Sequence, residues 1–217
     1  MIDTLSIKQY FKFDRTWTIY LLIIGIALSI DHLIKLIVYH NLILHEEIKI
    51  IGDWFRIRLE LNDGIAFSNL FENESDRYLK ILIKFFTSIV LFLCLIYFIN
   101  KNRVKTLLIG LSLCFAGNIG NLIDRIFYGV LINNSLDKYS IKWFHGQIID
   151  MFYFPLFEIK LPNWFPVIGG REYLFFEPVF NFSDLILVVG AIMTIIGLIK
   201  IKMLNIRILK LEKNKQV

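Results

Sequence analysis

A chain of 217 residues is long enough for one or two soluble domains, but 56% hydrophobic and 15% aromatic residues describe a protein whose solvent is largely lipid. The formal net charge of +5 comes from basic residues clustered outside the apolar runs. Placement of that kind speaks for membrane orientation and against nucleic-acid binding. Two cysteines, Cys94 and Cys114, both fall inside apolar runs and imply no disulfide framework.

A spanning helix needs about 20 mostly apolar residues. In chain order the stretches 17–38, 78–99, 104–122 and 182–199 qualify. The N-terminal arm resembles a secretory signal in charge, but its apolar run is too long and lacks a small-residue cleavage site, so it reads as an uncleaved anchor. Lys8, Lys12 and Arg15 precede the first span, Lys101, Arg103 and Lys105 fill the connection between the second and third, and Lys200, Lys202, Arg207, Lys210, Lys213 and Lys215 follow the fourth. Those segments are expected to be cytoplasmic, both termini among them, with the long connections 40–77 and 126–180 on the opposite face. The fold class expected is an all-α membrane protein: four transmembrane helices with a small extracytoplasmic β-sheet and loop region, in one integral membrane domain.

Asp31 and Lys35 in the first span are four residues apart and so share a helix face, as an intrahelical ion pair or as support for a site. Between residues 48 and 62 the apolar period changes to two, with Phe55, Ile57, Leu59 and Leu61 alternating with Arg56, Arg58, Glu60 and Asn62, the pattern of a half-buried strand. Asn62-Asp63-Gly64 then reads as a turn. The second span carries Lys80 and Lys84 near its outer end, where long basic stems can snorkel. The third ends in Ala116-Gly117-Asn118-Ile119-Gly120-Asn121 followed by Asp124-Arg125. Its small residues allow close helix approach, and its polar ones must find partners at that depth. Asp124 and Arg125 read locally as a cap and ion pair with each other.

Residues 126–147 read as a surface excursion. Asp150 follows, embedded in Ile148-Ile149-Asp150-Met151-Phe152-Tyr153-Phe154 with no basic residue nearby. After an aromatic, Pro-broken stretch, Asn181 stands as N-cap of the last span and places Asp184 in its first turn, beside the positive end of the helix dipole. Ionisable groups at the lip of a span are functional candidates. Asp150 and Asp184 are therefore the leading pair.

Taken in order, these polar islands resemble the lipoprotein signal peptidase (signal peptidase II) family. Asp31 to Lys35 resembles its Asp-x-x-x-Lys, Asn62-Asp63-Gly64-Ile65-Ala66-Phe67 its Asn-x-Gly-x-Ala-Phe, and Gly120-Asn121-Leu122-Ile123-Asp124-Arg125 its Gly-Asn-x-x-Asp-Arg. Ile148-Ile149-Asp150-Met151 resembles its Val-Val-Asp-Phe and Phe180-Asn181-Phe182-Ser183-Asp184 its Phe-Asn-x-Ala-Asp. The chain departs at Ser183, at Met151, and in a longer stretch between Arg125 and Asp150. The resemblance implies a membrane aspartic endopeptidase that needs no metal or cofactor, with Asp150 and Asp184 catalytic. Its substrate would be a diacylated prolipoprotein, cut before the lipid-modified cysteine. It further implies that Asn62, Asn121, Arg125 and Asn181 hold substrate or the catalytic pair, that Asp31 and Lys35 brace the first span, and that Gly64, Ala66 and Phe67 shape a loop over the peptide. Gly120 and Asp124 belong to the matched motif as support. The setting implied is the bacterial cytoplasmic membrane, with the site at its extracytoplasmic face, substrate and membrane lipid as partners, and the enzyme acting as a monomer. The competing class is a non-catalytic multispan channel or transporter subunit.

Overall fold

The computed structural model describes residues 15–62, 74–101, 104–134, 143–160, 162–164, 170, 172–175 and 178–215. Among the described residues, four helices are long and apolar enough to cross a membrane: Trp17–Asn41, Tyr78–Lys101, Lys105–Leu131 and Phe182–Asn214. The helices themselves are α1 (Arg15–Asn41), α2 (Glu74–Lys101), α3 (Lys105–Ile123) and α4 (Phe182–Lys215). The third and fourth outrun the stretches expected from hydropathy by most. The third continues through a π-helical turn, Asp124–Tyr128, and a short helical piece, Gly129–Leu131. The fourth is 34 residues long, about 50 Å at the helical rise, well beyond a hydrocarbon core of about 30 Å. Its basic end is exposed and keeps helical geometry because Lys, Arg, Leu and Ile there offer no breaker.

Contacts divide the chain into two units. One comprises residues 1–30, 79–122 and 183–217, the other 31–78 and 123–182. In the first, α3 and α4 meet along glycines. A Cβ at Gly117 would fall 2.4 Å from the Ser183 carbonyl oxygen, one at Gly190 2.7 Å from the Cys114 nitrogen, and one at Gly197 2.6 Å from the Leu107 Cα. Backbone thus lies against backbone, the approach that small residues permit between membrane helices. Beside this seam, Asn118 donates from Nδ2 to the Lys84 carbonyl at 2.7 Å and to the Ser88 hydroxyl at 2.6 Å, tying α3 to α2. Lys80 on α2 is buried at 9% exposure. Gly117→Ala is expected to push α4 away and to destabilise the protein by about 1–3 kcal/mol, read as a lower midpoint of thermal unfolding in detergent.

The second unit is built on a three-stranded antiparallel sheet, β1 (Glu47–Ile51), β2 (Phe55–Asn62) and β3 (Ile148–Tyr153), in the order β1-β2-β3. The alternation that marks Phe55 to Asn62 is β2. Its core joins Val38 of α1 with Leu59, Tyr128, Ile149 and Met151. A separate hairpin pairs β4 (Phe157–Lys160) with β5 (Glu172–Phe175). Just before α4, Phe180 forms an isolated antiparallel bridge with Phe152, donating to its carbonyl at 3.1 Å and accepting from its N–H at 2.7 Å. Phe154 stacks on Phe55 and on Phe180, with ring centroids 4.8 and 5.6 Å apart. These contacts tie the entry of the last helix to β3.

Candidate active site

Asp150 sits in β3, 2% exposed. Asn62 pairs with Ile148 across the β2–β3 ladder, two residues from Asp150. The two side chains are therefore diagonal neighbours on one face of the sheet. Asn62 Nδ2 donates to Asp150 Oδ2 at 2.8 Å. From the other side Asn181, fully buried, donates its Nδ2 to Asp150 Oδ1 at 2.6 Å. The Phe152–Phe180 bridge accounts for that contact, because it carries Asn181 alongside the middle of β3. Each carboxyl oxygen of Asp150 thus accepts one amide hydrogen, which sets the orientation of both asparagines. Glu60 stands directly opposite Asp150 in the register, where a second bare carboxylate would be repulsive. Its charge is engaged by Arg58 at 2.6 Å and His45 at 2.9 Å.

Asp184 lies in the first turn of α4. Asn121, buried on α3, donates Nδ2 to Asp184 Oδ1 at 2.8 Å. The glycine seam makes that bond possible: Gly117, one turn before Asn121, lets α3 approach the start of α4 to backbone contact at Ser183. Ser183 is fully buried beside it and Gly120 is buried in α3.

A third polar group joins α1 to the π-helical turn. Lys35 Nζ lies 2.7 Å from an oxygen of Asp31 and 2.7 Å from one of Asp124, and all three side chains are fully buried. The ion pair of Asp124 therefore reaches across to the first span, where sequence reasoning paired it with its neighbour Arg125. Arg125 is itself buried at 2% exposure. His32 completes the cluster, its Nδ1 2.7 Å from the Tyr128 hydroxyl and 3.7 Å from Asp124 Oδ1. Asp31, His32 and Asp124 present ligand atoms close enough together for a metal ion. The Lys35 ammonium, however, already stands between the two carboxylates and supplies the cation they require.

Sequence reasoning missed His32 and Tyr128. A histidine next to a buried Asp and a tyrosine four residues after another were the available signals, but only packing shows that they meet. Gly64, Ala66 and Phe67 lie outside the described residues, as does Asp63.

Four spans and a small sheet define an integral membrane protein, and asparagines hold one carboxylate on β3 and another on α4. Residues 23–200 match the family described as signal peptidase (SPase) II, Peptidase A8. The lipoprotein signal peptidase of Porphyromonas gingivalis is 37% identical over 188 residues, covering 80% of either chain, and that of Amoebophilus asiaticus is 36% identical over 188 residues, covering 84% of this chain and 78% of its own. A bacterial membrane enzyme solved by the in meso method at 1.9 Å resolution shares the fold, with a TM-score of 0.57 and 23% identity over 84% of this chain and 94% of that one. The chain belongs to the signal peptidase II family, and it is a membrane-embedded peptidase.

Proposed function

We propose that the protein removes the signal peptide of a prolipoprotein, cutting before the diacylglyceryl-modified cysteine, with Asp150 and Asp184 as a catalytic pair that activates water. The observation that carries this reading is the holding of both carboxylates by asparagine amides: Asn62 and Asn181 on Asp150, Asn121 on Asp184. Asn181 also directly precedes the helix whose first turn carries Asp184. These three asparagines belong to the motifs that resemble the family's.

In the proposed reaction the pair holds one proton between its members. The ionised carboxylate removes a proton from water as its oxygen bonds to the scissile carbonyl carbon, and the protonated carboxyl donates to the carbonyl oxygen. The tetrahedral intermediate then collapses. Its C–N bond breaks, the leaving nitrogen takes a proton from the carboxyl that received one from water, and the other carboxylate recovers its own from the intermediate's hydroxyl. Asparagine amides fix the carboxylates without competing for protons, since an amide neither ionises nor exchanges roles at neutral pH. Arg125 and the loop of Gly64, Ala66 and Phe67 would hold the peptide, while Asp31, Lys35, Asp124 and Gly120 support the frame.

The exposed basic end of α4 supports a cytoplasmic C-terminus and a site at the extracytoplasmic face of the cytoplasmic membrane. A monomer there would meet its lipid-anchored substrate laterally, with the acyl chains still among the spans. The test uses purified protein in mixed micelles with one precursor in diacylated and unlipidated forms. Mass spectrometry is expected to place the cut immediately before the lipid-modified cysteine, with turnover of the unlipidated form at least ten-fold lower, equivalent to about 1.4 kcal/mol of acyl-chain binding. Chelators should leave both rates unchanged. Equal turnover of the two forms, or loss restored by added metal, would sink the reading.

A further inference from the structure

The geometry points to Asn134 as a positioning residue for the strand that carries Asp150. This inference rests on the proposed role of Asp150. It answers a problem specific to this chain, the long excursion between the Asp124-Arg125 motif and β3.

Sequence reasoning takes 126–147 for a surface excursion, yet both of its ends are packed. Asn133 adopts a left-handed backbone, φ 54°, a conformation asparagine tolerates, and turns the chain so that Asn134 points inward at 2% exposure. Asn134 anchors its own N–H on the Tyr128 carbonyl at 3.2 Å. Its carbonyl accepts the Gln147 N–H at 3.2 Å, and its side-chain Nδ2 donates to the Gln147 carbonyl at 3.0 Å. One residue therefore engages both backbone groups of Gln147, the residue immediately before β3.

The returning arm is laced further to the π-helical turn. Phe144 donates to the Ile126 carbonyl and Gly146 to the Arg125 carbonyl, each at 3.1 Å, and Trp143 packs edge-on against Phe127 with centroids 5.4 Å apart. A Cβ at Gly146 would fall 2.0 Å from the Asp124 carbonyl oxygen, so the arm lies directly on the turn. The excursion is closed at its neck. Asn134 on one side and Trp143 to Gln147 on the other form a hydrogen-bonded clasp, and chain length beyond such a clasp adds little entropic cost to where Asp150 stands.

Asn134→Ala and Asn134→Leu test the role, the second because it keeps volume and loses the donor. Both are expected to lower turnover of the diacylated precursor roughly ten-fold, the effect of one lost buried hydrogen bond, with KM changed less than about two-fold. Amide hydrogen exchange over Gln147–Met151 should accelerate by a similar factor while α3 keeps its protection. Turnover and exchange like the parent's in the Leu variant would reduce Asn134 to a filler of space and overturn the proposal. Faster exchange with undiminished turnover would overturn the positioning role. Should both variants fail to fold, four Gly-Ser residues inserted after Asp137 give a second test: turnover is expected to stay within about two-fold of the parent, and its collapse in a folded protein would show that the neck is not closed. A failed catalytic assignment would register separately, as activity retained by Asp150→Asn, and leaves the exchange result standing.

Discussion

Asp150→Asn is expected to abolish cleavage of a diacylated prolipoprotein, with turnover falling by between about 10² and 10⁴-fold while the protein inserts and folds. The substitution keeps size and shape but replaces one acceptor oxygen by a donor amide. Asn62 and Asn181 now donate one hydrogen bond to each oxygen of Asp150, so one of them must rotate or lose its partner. The structural penalty is about 1 kcal/mol, small beside the loss of a group proposed to exchange protons with water. Asp184→Asn should have the same effect on turnover, and it turns an acceptor oxygen that Asn121 faces at 2.8 Å into a possible donor amide. Steady-state cleavage measured beside thermal unfolding separates the two consequences. Substantial activity in either variant, with an unaltered unfolding midpoint, would eliminate the pair as the source of catalysis.

Lys35→Met is expected to cost about 3–5 kcal/mol of stability, the range found when one partner is removed from a buried ion pair. Two carboxylates, Asp31 and Asp124, lie 2.7 Å from its ammonium, and none of the three side chains is exposed. Methionine fills the same volume and leaves the two acids facing each other without a cation. If that electrostatic account is right, Asp31→Asn/Lys35→Met should recover part of the loss by removing one of the uncompensated charges. Chemical unfolding in mixed micelles reads both variants. A Lys35→Met protein within about 1 kcal/mol of the parent would mean that the ammonium contributes no more than a surface ion pair does. Because Asp124 opens the π-helical turn from which the clasp to β3 is built, activity is expected to fall along with stability.

The family was legible because its polar motifs interrupt apolar sequence, where hydropathy makes any carboxylate or asparagine conspicuous. Asp150 stands alone among Ile, Met and Phe, and Asp184 opens an uncharged run. The spans were legible for a related reason: an apolar stretch of about 20 residues has few alternatives to crossing the bilayer. The alternation from Phe55 to Asn62 marked β2 because one face of a sheet is buried and the other is not. Their ends were less so, since hydropathy falls at Leu122 and Ile199 although backbone hydrogen bonding continues through Leu131 and Lys215.

Sequence by itself thus determined which residues enter the membrane and which polar groups are anomalous there, because both depend on the transfer of single residues or short runs from water to lipid. Only the tertiary structure decided which groups meet. Asp124 pairs with Lys35 of the first span, Asn181 reaches Asp150 through the Phe152–Phe180 bridge, and Asn134 closes on Gln147. Buried polar groups take the partner that packing brings within hydrogen-bonding distance, and separation along the chain carries little information about which partner that is.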